Sequence, residues 1–342
     1  MKKISQRDSN IELLRIIAMV RVLVLHADFQ ALGTPDAAEI VSKPISSSVR
    51  VLLEMMSIGA VNIFVLISGW FTIKPSVKGF STFIFQWLFF SIGAYVVSVL
   101  WGFSEISIKE FAKCFALTCA QGYWFILSYI CLYFFAPVLN AFINNSSKRE
   151  LLIVIFSFFT FQTVYAFISG GADFLVKGYS ALSFMGLYLL AAYVKRYCDL
   201  TRIPRSLYLY SYLTLSLILS FIFIVGTLTD IGPVTSRLLC YSTPLVIMSS
   251  LSLMLYFTRL SFKSGFVNSV SRSSFAVYLL HCSPFVYSYA YLPSVANYSG
   301  YPLKVISVVA LWFVVAIFID KVRLMAWNPL SSKFDIFSKR SS

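Results

Sequence analysis

Apolar runs of membrane length recur along this chain, and they constrain its fold more than any single motif. A helix needs about 20 apolar residues to cross roughly 30 Å of hydrocarbon. Ten stretches approach that length, near residues 11–27, 51–73, 80–101, 122–143, 151–169, 179–195, 207–228, 238–257, 275–291 and 303–320. Charges or turn residues bound each of them. With 58% hydrophobic and 12% charged residues, the chain cannot cover a soluble domain of 342 residues with polar surface. The expectation is an all-α polytopic membrane protein: one integral-membrane domain over residues 1–342, built as a bundle of about ten transmembrane helices. The apolar stretch from Phe111 to Ala120 is too short to span and reads as an interfacial or re-entrant lead into the fourth helix.

The loops provide an internal check, because Lys and Arg collect on the cytoplasmic side of a membrane protein. They alternate here from loop to loop. One side takes Lys2, Lys3 and Arg7, then Lys74 and Lys78, Lys148 and Arg149, the Lys195 to Arg205 cluster, Arg259, Lys263 and Arg272, and the basic C-terminal tail from Lys321 and Arg323 to Lys339 and Arg340. The other side holds fewer: Lys43, Arg50, Lys109, Lys113, Lys177, Arg237 and Lys304. Both termini are therefore expected in the cytoplasm.

The same distribution accounts for the net charge of +14, and no basic stripe on a soluble domain suggests nucleic acid as a partner. Membrane lipids are the expected surroundings. The N-terminus begins like a secretory signal, but Glu12, Arg15 and Arg21 interrupt its core, so it reads as a retained first helix. Six cysteines, Cys114, Cys119, Cys131, Cys198, Cys240 and Cys282, form no Cys-x-x-Cys pair, and the chain has only two histidines. No metal is expected.

Function must then lie in the few polar groups carried by the apolar runs, since an ionisable side chain at membrane depth is costly without a purpose. Arg15 and His26 share the first run. Eleven residues make about three helical turns, which puts both on one face and about 16 Å apart along the axis. Glu12, three residues before Arg15, is placed to pair with it. His281 stands in the ninth run. Arg21, also in the first run, could line the same cavity or pair with Glu54 or Asp28, and Ser68, Trp124 and Tyr133 are further candidate cavity-lining residues.

Several segments carry a family resemblance. SNIELLRIIAMVRVLVLH, with its Arg-x10-His spacing, resembles the first helix of the membrane-bound acyltransferase 3 family, whose bacterial O-acyltransferases modify cell-surface sugars. FVLISGWF at 64–71 is similar to the small-residue motif ending the second helix, YWFILSYICLYFFAPVLN at 123–140 to the Trp-Phe to Pro helix, and FAVYLLH at 275–281 to the late Tyr-Leu-x-His helix. The resemblance covers residues from about 9 to 320. There are two departures. IKPSVKGFSTFIFQW has lysines and Gln86 where the family often has paired arginines, and Arg21 stands where the family normally keeps an apolar residue.

The resemblance implies acyl transfer, most often of acetyl from cytoplasmic acetyl-CoA, to a sugar hydroxyl of a cell-surface glycan or lipid-linked sugar. It also implies a bacterial cytoplasmic-membrane location. A neutral imidazole within reach of the hydroxyl could take its proton as it attacks the thioester. His26 is the candidate base, with Arg15 and Glu12 beside it in the catalytic set, and an acyl-imidazole is the covalent variant. Lys74 and Lys78 are candidate donor-site residues for the phosphates of coenzyme A, and His281 for the thioester. A Gly-x-Ser-x-Gly elbow is absent from the sequence. The competing readings are a transporter or flippase for a glycan precursor, and a glycan polymerase, neither of which would depend on acyl-CoA. No convincing internal repeat and no large external loop favours them.

Overall fold

A computed structural model describes residues 8–115, 123–169, 175 and 178–338, and every regular element among them is helical. Cys119, Lys2, Lys3, Arg7, Lys177, Lys339, Arg340 and the end of the short apolar lead (116–120) lie outside the described residues. The α-helices are α1 (Ser9–Leu25), α2 (Ala37–Ser42), α3 (Pro44–Ser57), α4 (Ala60–Phe71), α5 (Val77–Leu100), α6 (Ile108–Lys113), α7 (Trp124–Asn145) and α8 (Lys148–Ser169). They continue with α9 (Ala181–Tyr197), α10 (Arg205–Leu228), α11 (Gly232–Leu238), α12 (Pro244–Thr258), α13 (Gly265–Ser271), α14 (Ser274–His281), α15 (Leu292–Ala296) and α16 (Pro302–Ser338). Two π-helical segments, His26–Leu32 and Tyr287–Tyr291, follow α1 and precede α15.

Among the described residues, five helical stretches are long and apolar enough to cross a membrane: Pro44–Phe71, Val77–Leu100, Trp124–Asn145, Arg205–Leu228 and Pro302–Pro329. The ninth expected span, 275–291, is not one helix. Helix α14 stops at His281, and Pro284 falls in the break, where it can neither donate to a helical ladder nor fit against the preceding turn. His281 is accordingly the last residue of a short helix.

Local chemistry sets many of the helix ends. Ser76 accepts the Gly79 N–H at 3.1 Å to start α5, and Asp36 accepts the Glu39 N–H at 2.7 Å to start α2. Before α8, Ser147 and Glu150 form a reciprocal capping box: the Glu150 carboxylate accepts the Ser147 N–H at 2.8 Å and Ser147 Oγ accepts the Glu150 N–H at 3.3 Å.

The chain divides into two compact units. The first holds Met1–Ile73 and Phe135–Asn268. In it α1 packs against α3, α4 and α12, α4 lies along α9, and α10 lies along α12. Val51, Met55, Leu219, Phe223 and Val246 form a buried cluster among α3, α10 and α12. The start of α1 is tied to the end of α12, because the Asn10 amide donates to the carbonyls of Phe257 and Leu260, each at 2.8 Å. The second unit holds Lys74–Phe134 and Ser269–Ser342, with α5, α14 and α16 packed on one another. A second cluster, Ala94, Tyr95, Cys114, Phe285 and Val286, belongs to it.

Candidate functional site

In the first unit the expected pairing at the head of α1 is present. Glu12 is buried and its carboxylate accepts from Arg15 Nη1, while the rest of the arginine is half-exposed. The spacing of three residues puts the two on adjacent turns of one face, and the shared charge lowers the cost of burying the acid. His26 comes eleven residues later, where α1 passes directly into the π-helical segment, and its ring is half-buried. A wider helical turn at this point is a local departure of the kind often found at functional positions.

Arg21 meets neither of the acids available to it in sequence. Its Nη2 donates to the carbonyl of Met56, and its guanidinium lies over the ring of Tyr212, 5.4 Å from the centroid. Asp28 pairs instead with Arg50 at 2.7 Å, and Arg50 also reaches Glu39 at 3.3 Å. Just beyond the first predicted span, burial lifts the Asp28 carboxyl above the usual carboxylate range, and the Arg50 hydrogen bond opposes that lift. Ser68 in α4 donates to the Phe64 carbonyl one turn back at 2.9 Å.

Two side chains that the sequence reading did not select hold the end of the loop after α4. Tyr188 accepts the Ile73 N–H at 2.8 Å and donates to Asn140 Oδ1 at 2.7 Å, and the Asn140 amide donates to the Ile73 carbonyl at 2.8 Å. Both backbone groups of Ile73 are thereby fixed. Lys195 donates to the Trp70 carbonyl at 2.7 Å and lies over the rings of Trp70 and Phe71, so a cation sits at the negative end of α4.

In the second unit the structure joins three of the expected residues through a backbone clamp. The Tyr133 hydroxyl accepts the Ser76 N–H at 2.7 Å and donates to the Ser76 carbonyl at 3.0 Å. Ser76 lies midway between Lys74, which is exposed, and Lys78, which is half-buried in the first turn of α5. Tyr133 thus shapes the segment that carries both lysines. Trp124 opens α7 and packs edge-on against Phe125 with ring centroids 6.1 Å apart.

His281 is fully buried at 0% exposure. Its Nδ1 lies 2.5 Å from the Val277 carbonyl and its Nε2 lies 3.2 Å from Cys282 Sγ. A carbonyl can only accept, so Nδ1 carries a proton, and in the neutral imidazole Nε2 is then the accepting nitrogen. Its ring also packs against Tyr291, with centroids 5.1 Å apart.

The second unit also buries Arg323, expected in the cytoplasmic tail, within a polar network. Arg323 Nε donates to Asp320 Oδ1 at 2.6 Å, and Gln86 Nε2 donates to the same oxygen at 2.9 Å. Four residues before Gln86, Thr82 accepts the Trp327 indole N–H at 3.1 Å, so α5 and the later part of α16 run antiparallel along a polar seam. Gln86, where the resembled family often has arginine, therefore serves an acid on α16. Asp320 was the available signal, as an acidic residue at the end of the most apolar run.

In comparison with known families, a model described as an acyltransferase domain matches residues 8–321. No curated protein matches the chain, and no solved structure does.

Proposed function

This chain belongs to the acyltransferase 3 family of membrane acyltransferases, and from that premise we propose that it moves an acyl group, most often acetyl, from cytoplasmic acyl-CoA to a hydroxyl of a cell-surface glycan or lipid-linked sugar. The observation that carries the reading is the family match over residues 8–321, within which the Arg15 and His26 spacing falls. In this proposal the protein sits in a bacterial cytoplasmic membrane with about ten spans and both termini inside, so that the donor arrives from the cytoplasm. Phosphate charge on the donor calls for cations, and Arg15, Lys74 and Lys78 are the candidates. His281 is the candidate contact for the thioester.

A sugar hydroxyl is a weak nucleophile at neutral pH. His26 acts as general base, taking the hydroxyl proton as the oxygen attacks the thioester carbonyl. The tetrahedral intermediate then expels the thiolate of coenzyme A, which takes up a proton, and the ester is left on the sugar. Glu12 holds Arg15, which keeps a cation at the cytoplasmic end of the same helix.

The test is release of free coenzyme A from acetyl-CoA by the lipid-reconstituted protein, offered a pool of cell-wall and lipid-linked glycans. Acceptor-dependent release that falls about 10²- to 10⁴-fold in a folded His26→Ala variant is the expected result. Release unchanged by that substitution would remove His26 as the base. Absence of both turnover and acetyl-CoA binding in the wild type would defeat the acyl-transfer reading.

A further inference from the structure

The first unit contains a cation that the protein itself leaves half-used. Helix α3 ends at Ser57 and α4 begins at Ala60, so the 28-residue apolar stretch Pro44–Phe71 is broken near its middle. At the break the Met56 carbonyl takes two donors, Arg21 Nη2 and the Tyr212 hydroxyl, the latter at 2.9 Å. Arg21 is 8% exposed, yet its Nε and Nη1 have no hydrogen-bond partner. No carboxylate answers its charge among the described residues: Glu12 serves Arg15, Asp28 and Glu39 serve Arg50, and Glu54 makes no ion pair with it. The end of α3 offers only the partial negative charge of a helix terminus.

A guanidinium buried at membrane depth with two idle nitrogens and no counter-charge is costly, and in membrane proteins such a group marks a substrate or ion pathway. Broken helices at this depth are where anionic and cationic ligand groups are met in other folds. We propose that Arg21 binds an anionic group, a carboxylate or phosphate, on the acceptor substrate, and so sets specificity for an acidic sugar or sugar phosphate. The planar guanidinium suits either oxyanion. Assignment to the acceptor rests on the acyl-transfer reading. Arg21 lies five residues from His26, about 7.5 Å of helical rise but about 140° around the helix axis, whereas the phosphates of coenzyme A lie a full pantetheine arm from its thioester. An anion bound within two turns of the general base, on another face of the same helix, is assigned to the molecule whose hydroxyl reacts.

The experiment measures thermal unfolding of wild type, Arg21→Leu and Arg21→Lys in lipid nanodiscs at constant ionic strength. The probes are glucuronate, glucose 1-phosphate, glucose, coenzyme A and pantetheine. Wild type is expected to gain a few degrees with glucuronate or glucose 1-phosphate but not with glucose. Arg21→Leu is expected to unfold at an equal or higher temperature without ligand, because it removes an uncompensated buried charge, and to lose the anion-specific gain. Arg21→Lys keeps part of that gain. A purely structural arginine gives the opposite pattern: Arg21→Leu unfolds lower and its response to anions is unchanged. That pattern, or no anion-specific gain in wild type, overturns the proposal. A gain confined to coenzyme A over pantetheine and lost in Arg21→Leu overturns the assignment to the acceptor. Because these readings need no turnover, they are separate from failure of acyl transfer itself.

Discussion

Asp320 and Arg323 form the most deeply buried ion pair among the described residues, at 0% and 2% side-chain exposure. Taking away one member leaves the other charged and dry, so Arg323→Met is expected to cost about 3–5 kcal/mol in an unfolding measurement. The double variant Asp320→Leu with Arg323→Met should recover most of this loss, leaving only the Gln86 amide short of a partner. Equal instability of single and double variants would show that the pair is not coupled. Tyr133 allows a functional test at the same scale. Tyr133→Phe frees both backbone groups of Ser76, and if Lys74 and Lys78 meet the donor, KM for acetyl-CoA rises several-fold while kcat changes little. An unmoved KM would take that segment out of the donor site. Glu12 with Arg15 and Asp320 with Arg323 share one sequence signature, an acid three residues before an arginine. Only the first was legible in sequence, because it interrupts an apolar run. The second sits where charges resume, and its burial is revealed by Gln86, a partner 234 residues away in the chain.

At the level of elements, the approach of α4 to α9 rests on Gly69. A Cβ there would fall 2.3 Å from the Tyr188 carbonyl oxygen, and the obstacle is backbone, which cannot turn aside. Gly69→Ala should therefore force the two helices apart and lower stability by at least the ~1–3 kcal/mol of an overpacked core. Gly93 in α5 is the control, since a Cβ there meets nothing within 4 Å and Gly93→Ala should gain roughly 0.5–1 kcal/mol from helix propensity. Thermal unfolding of both variants, with opposite signs expected, checks the argument. The motif around Ser68 was legible as a small-residue stretch, but not which glycine makes the contact or that Tyr188 lies opposite. Apolar periodicity locates a helix and leaves its neighbours unspecified. The same limit explains α14. The run 275–291 is predominantly apolar, and hydropathy alone does not register that Pro284 divides it.

For the molecule as a whole, the number of crossings turns on elements that fall short of the membrane by themselves. Helix α12 has 15 residues, about 22 Å of rise, and α14 has 8. Basic residues alternate between loops as ten spans require, while five stretches among the described residues are both long and apolar enough unaided. The two counts differ in parity at Cys198, an exposed cysteine directly after α9. In the ten-span arrangement six crossings precede it, so it shares a side with the N-terminus. If only the five long stretches cross, three of them precede Cys198, Pro44–Phe71, Val77–Leu100 and Trp124–Asn145, and it lies on the opposite side. A membrane-impermeant maleimide applied to intact cells and to inverted vesicles, with peptide mapping of the modified thiol and an N-terminal epitope tag as reference, separates them. The expected result is that Cys198 and the tag are both shielded in cells and both reached in inverted vesicles. Labelling of Cys198 in intact cells with the tag still shielded would reject the ten-span arrangement. It would also remove the Lys195 to Arg205 cluster from the cytoplasmic side, and with it the main charge argument for orientation.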